Sequence, residues 1–185
     1  MFSAPTGSMV DLDKVRIKVQ QMLSKKWKVS LGNRPATMGD YILNFDSTEL
    51  NVMIDEKTFG GDDSVVVRCT APILYHVPLT PELYEWVSTV GASYDFGNVM
   101  IVQVEDEPQG QPNKGNLWLS HTLLGDYLDP QELHWAVGAV GYNADRLDDE
   151  LQSMFGGKRF ADFFTSEQSD EDTSEQSDEE PAGYI

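Results

Sequence analysis

Residues 129–157 read DPQELHWAVGAVGYNADRLDDELQSMFGG. Asp129 is a natural helix N-cap, and Pro130 suits the first helical position, where its missing N–H would have no helical partner anyway. Glu132, three residues after the cap, completes a capping-box pattern. Leu133, Val137, Val140, Ala144, Leu147, Leu151 and Met154 then recur at alternating steps of three and four, one apolar stripe along a helix. Gly156-Gly157 supplies the stop. About 26 residues at ~1.5 Å each give a rod of roughly 39 Å. Gly138 and Gly141 each weaken it by up to ~1 kcal/mol relative to Ala, and they permit a close backbone approach.

Working back along the chain, two strands are expected over Phe96–Glu105 and Asn116–Leu124. In the second, Leu117, Leu119, His121 and Leu123 face one way, and Trp118, Ser120, Thr122 and Leu124 the other. The link Asp106–Gly115, with two Pro and two Gly, reads as a mobile hairpin loop. Thr80-Pro81 opens an earlier helix with Leu83, Trp86, Val87 and Val90 inward, and Gly91 ends it. Before that, Tyr41–Phe45 and Leu50–Ile54 alternate on either side of the polar turn Asp46–Glu49, as in a hairpin. Val65, Val67 and Cys69 start a third strand that extends toward Val77, and Trp27–Leu31 reads as a short preceding extension. Asp11 caps a first helix, roughly 11–26, with Leu12, Val15, Val19, Met22 and Leu23 on one face. The order α-βββ-α-ββ-α, joined by short turns, predicts an α+β fold: an antiparallel sheet with its helices gathered on one side.

The chain has 185 residues, 31 acidic against 13 basic, for a net charge of -18. Nine of the acids and no Lys or Arg fall within 161–185, so half of the excess charge lies in the last 25 residues. That stretch holds a tandem octapeptide, Thr165-Ser-Glu-Gln-Ser-Asp-Glu-Asp172 and Thr173-Ser-Glu-Gln-Ser-Asp-Glu-Glu180. With nothing large and apolar between Thr165 and Gly183, it is expected to be a disordered acidic tail, either a solubilising brush or a docking strip for a basic partner. Residues 1–10 are expected to be flexible, which leaves 11–160 as the folded domain. The acidity argues against nucleic acid, since phosphates would be repelled. The apolar runs are too short for membrane insertion. No basic region followed by an apolar stretch opens the chain, and a single Cys69 makes no internal disulfide; both point to the cytoplasm.

The element order resembles that of the YbjN family, whose members are related in fold to the type III secretion chaperones. The local features that carry the resemblance are Leu83-Tyr-Glu-Trp-Val87, Tyr94-Asp-Phe-Gly97, and Ala144-Asp-Arg-Leu-Asp-Asp-Glu-Leu151 running into Phe155-Gly-Gly157. It covers about 11–160. It implies a chaperone-like, compact, acidic and often dimeric domain that binds protein segments and does no chemistry.

The residues themselves offer no catalytic set. His76, His121 and His134 fall on different elements without ligand spacing, so no metal or other cofactor is expected. Cys69 reads as a buried, inert thiol. Asp145, Asp148, Asp149 and Glu150 flank the apolar stripe of the last helix and read as a solvated face. The more informative feature is a surplus of large apolar residues. Ile42, Met53 and Trp118 lie opposite the stripes that suit a helix-covered core. Three readings stay open for that second face: a protein or peptide client, a homodimer contact, or cover by the chain's own helices. The client reading makes Trp118, Met53 and Ile42 the contact residues; its alternative is a regulatory scaffold acting through the acidic tail.

Overall fold

A computed structural model describes residues 11–32, 40–103 and 113–162. The elements run α1 (Leu12–Ser24), β1 (Val29–Leu31), β2 (Tyr41–Asn44), β3 (Glu49–Phe59), β4 (Asp62–Pro78), α2 (Pro81–Thr89), β5 (Asn98–Gln103), β6 (Lys114–Leu124), α3 (Pro130–Phe155) and β7 (Lys158–Arg159). The α-βββ-α-ββ-α order is present, with two short strands added, β1 and β7. The loop, the N-terminal stretch and the octapeptide tail singled out in the sequence lie wholly or largely outside the described residues.

The helix boundaries follow the capping chemistry. Asp129 accepts from the backbone N–H of Gln131 and Glu132, both at 2.8 Å. Thr80 accepts from Leu83 N–H and Asp11 from Lys14 N–H, both at 3.3 Å. Each of these bonds satisfies a donor that has no partner inside its helix.

All pairings are antiparallel, in the order β1-β2-β3-β4-β6-β5, with β7 on β4. The 17-residue β4 is the spine of the sheet. Its ladder to β3 ends at Asn51↔Thr70, and β7 takes up Leu74 and Tyr75 further on. Pro72 sits in the gap between them. A proline cannot donate to a ladder, and on the side of β3 and β7 no paired residue requires it to; its carbonyl accepts from Thr48 Oγ1 at 2.7 Å. The β4–β6 register shifts around Leu74 and again before Val77, where His76 adopts φ 54°. The His76 N–H donates to Asn116 Oδ1 at 3.0 Å.

One face of this sheet is the core. Leu50, Val52 and Ile54 of β3, Val65 and Val67 of β4, and Leu117 and Leu119 of β6 are buried against Val19 and Leu23 of α1, Leu83 of α2 and the α3 stripe from Leu133 to Leu151. The period-2 pattern of the strands and the 3.6-period stripes of the helices meet here.

Candidate functional site

The helices α1, α2 and α3 pack on the core face, and among the described residues none of the three covers the opposite face. Its central row runs Ile42↔Asn51↔Thr70↔Ser120↔Asn98 across five strands. On one side of that row lie Met53↔Arg68↔Thr122, and on the other Pro72↔Trp118↔Met100. From Asn51 to Asn98 the row is built of small polar side chains, with Thr70 Oγ1 and Ser120 Oγ hydrogen-bonded at 3.2 Å. The flanking residues are large. The result is a shallow depression of about 860 Å³ with a hydroxyl floor and a rim that includes Met53, Met100, Val102 and Trp118. Met100 and Val102 are 44% and 43% exposed. The half-buried Arg68 also lines it, and no carboxylate pairs with it among the described residues.

Of the residues expected from sequence, Met53 and Trp118 come together here. Ile42 shares the face but lies outside the depression: three inter-strand steps of ~4.8 Å, roughly 14 Å, separate it from Trp118. The sequence reading missed Arg68, Met100 and Val102. Arg68 had a signal, because it alternates with Val67 and Cys69 and so had to point away from the core. Met100 and Val102 sit in an unbroken apolar run, where alternation gives no sign of which side chains are covered.

One end of the site is aromatic. The Tyr75 ring stands edge-on to Trp118 at 6.2 Å, and Phe160 lies 6.3 Å beyond Tyr75. Thus the chain leaving β7 arrives on the Trp118 side. Gly157 allows that turn. Its φ is +92°, and a Cβ there would lie 2.8 Å from both the Tyr75 carbonyl oxygen and Val77 Cγ2. Arg159 then fastens the exit: its Nε donates to Asp162 Oδ2 at 2.8 Å and its Nη1 to Asp149 Oδ1 at 2.7 Å. Two polar atoms on this face, Trp118 Nε1 and Asn51 Oδ1, are buried without a hydrogen-bond partner.

The other candidates for chemistry resolve into structural roles. His134 Nε2 lies 2.8 Å from the Met22 carbonyl, and His121 packs edge-on against Phe96, with burial lowering its pKa. Among the described residues no group of three His, Cys, Asp or Glu could hold a metal ion. Cys69 is fully buried, which pushes its thiol up to about 12. The acidic cluster on α3 corrects the sequence reading. Asp149 and Glu150 are exposed, but Asp148 is only 2% exposed. Ser47, in the β2–β3 turn, donates its N–H to Asp145 Oδ1 at 2.6 Å. Its hydroxyl oxygen lies 2.7 Å from Asp145 Oδ1 and 2.5 Å from Asp148 Oδ2. One hydroxyl proton cannot serve both carboxylates. A proton on Asp148 completes the chain of bonds, and burial raises the pKa of Asp148 in that direction. These groups fasten the hairpin to α3.

No helix among the described residues is long and apolar enough to cross a membrane. Comparison with curated proteins finds no significant match. A family profile does match residues 13–163, which takes in every described element from α1 through β7. Its description is T3SS (YopN, CesT) and YbjN peptide-binding chaperone 1. The open sheet face with its apolar rim agrees with that description, and the chain belongs to this family, TY-Chap1, of T3SS and YbjN peptide-binding chaperones.

Proposed function

We propose that the protein is a non-enzymatic, chaperone-like binder that holds a client segment on the open sheet face, with Trp118 and Met53 as anchors and Ile42 as an outlying contact. The observation that carries this reading is the depression itself: large apolar side chains, two of them over 40% exposed, around a polar floor on a face that α1, α2 and α3 leave uncovered. Such a surface takes an extended or amphipathic segment, with apolar side chains seated between the rim residues. The net charge of -18 favours clients with basic flanks and speeds their encounter.

The test is an array of synthetic 15-residue peptides probed with the full chain and with its Trp118→Ala and Met53→Ala variants. A buried aromatic anchor commonly carries ~2 kcal/mol or more, so Trp118→Ala should weaken the best peptides by tenfold or more. Unchanged circular dichroism would show that the fold is kept. Retention of wild-type binding by the double variant would end this reading. The scaffold alternative puts binding in residues 161–185; deleting them would then abolish capture, and raising the salt would weaken it steeply.

A further inference from the structure

We propose that the open face has a tethered occupant: the chain's own segment 163–185 lies across the depression, pairs its carboxylates with Arg68, and competes with any client. This rests on the reading of that face as a peptide site.

The first support is the route of the chain. After β7, Phe160 packs on Tyr75, which packs on Trp118, so a row of rings links the end of the described chain to one residue that lines the depression. Asp162 is held by Arg159, which also donates to Asp149 on α3. The segment therefore leaves two ring contacts away from Trp118. The second support is charge. Arg68 lines the depression without a carboxylate partner among the described residues, although acids outnumber bases in the chain 31 to 13. Residues 163–185 carry eight acids and no base. A guanidinium in a partly desolvated hollow gains more from a carboxylate than one in open water does. The third support is reach. From Tyr75 to Arg68 is seven residues of strand, roughly 23 Å at ~3.3 Å each. The 23 residues of 163–185 can span at most ~76 Å, so the segment is long enough to reach Arg68. A chain crossing the Trp118 rim also offers carbonyl acceptors for the unpaired Trp118 Nε1–H.

Tethering makes weak contacts sufficient. A short flexible link gives an effective concentration of order 1 mM, so a millimolar intrinsic affinity fills the face about half of the time.

Cys69 is buried and its thiol sits at about 12, so a nitroxide placed at Ser174→Cys labels one site in the native full chain. In the ¹⁵N-labelled protein, the amides of Thr70, Ser120 and Thr122 should lose at least half their intensity, while that of Ile17 on α1 keeps its own. Replacing the eight acids of 167–180 by their amides should restore the signals, as should Arg68→Gln. No selective loss overturns the proposal. Selective loss that persists when a spin-labelled ¹⁴N chain is mixed with an unlabelled ¹⁵N chain assigns the contact to a second copy and also overturns it. A synthetic peptide covering 165–180 should bind the tail-neutralised chain about twofold more tightly than the wild type, with shifts at the same amides; equal affinities overturn the competition. Array peptides that still depend on Trp118 while the nitroxide effect is absent would leave client binding standing and remove only self-docking.

Discussion

Two glycines three residues apart in α3 should respond to the same substitution with opposite signs. A Cβ built on Gly138 meets nothing closer than 3.9 Å, at Trp27 and Tyr142. One built on Gly141 would overlap Cζ, Cε2 and Cε1 of Phe45, so the ring would have to withdraw. Phe45 has little freedom to do so. It is wedged between Trp27, at 5.5 Å, and Tyr142, edge-on at 5.1 Å. Gly→Ala inside a helix gains about 1 kcal/mol from backbone entropy and helix propensity. At Gly138 that gain stands alone. At Gly141 it is opposed by overpacking at ~1–3 kcal/mol, or by loss of two aromatic pairs at ~0.5–1.5 kcal/mol each. Gly138→Ala should therefore stabilise by about 1 kcal/mol and Gly141→Ala destabilise by about 1 kcal/mol. At ~2–4 °C per kcal/mol for a domain of this size, the two melting temperatures should differ by roughly 4–8 °C. Thermal melts followed by circular dichroism read this directly. Adding Phe45→Ala to each variant isolates the coupling: the Gly141→Ala penalty should vanish, and Gly138→Ala should be little changed. A Gly141→Ala protein as stable as Gly138→Ala would refute the close ring-on-backbone packing.

Ser47→Ala should cost about 1–3 kcal/mol in urea melts, because it leaves the Asp145 and Asp148 carboxylates facing each other without a shared hydroxyl. The raised pKa of Asp148 means that its contribution to stability is full below the ordinary carboxylate range and is lost as pH rises through the folded value. Asp148→Asn should therefore match the wild type at acidic pH and equal or exceed it above neutrality; a loss of more than 2 kcal/mol at pH 8 would contradict this. Gly157→Ala forces a side chain into the left-handed region and against Tyr75, so it should unseat β7 and speed amide exchange at Leu74 and Tyr75 while leaving β3 protected. Cys69 should resist thiol reagents in the native protein and react only after unfolding, and fast native labelling would show that β4 opens locally.

Local rules legible in the chain were enough for the helices, the hairpins and the inward faces of β2, β3, β4 and β6. The caps at Asp129 and Thr80, the stripe from Leu133 to Leu151 and the alternation of Val65, Val67 and Cys69 act over one or two turns, and burial follows them. They even place Arg68 and Trp118 on the outward side. What they leave out is anything set by residues distant in sequence. Strand β7 is two residues long, too short for a period, and exists because β3 leaves the edge of β4 vacant past Thr70. Asp148 looks like one more surface acid, until the β2–β3 turn brings Ser47 across 101 positions to cover it. Ile42 and Trp118 share a pattern but not a site, because strand order, a long-range property, puts β3 and β4 between them. The depression exists only once Met53, Arg68, Met100 and Trp118 from four strands stand side by side, and no stretch of chain holds all four.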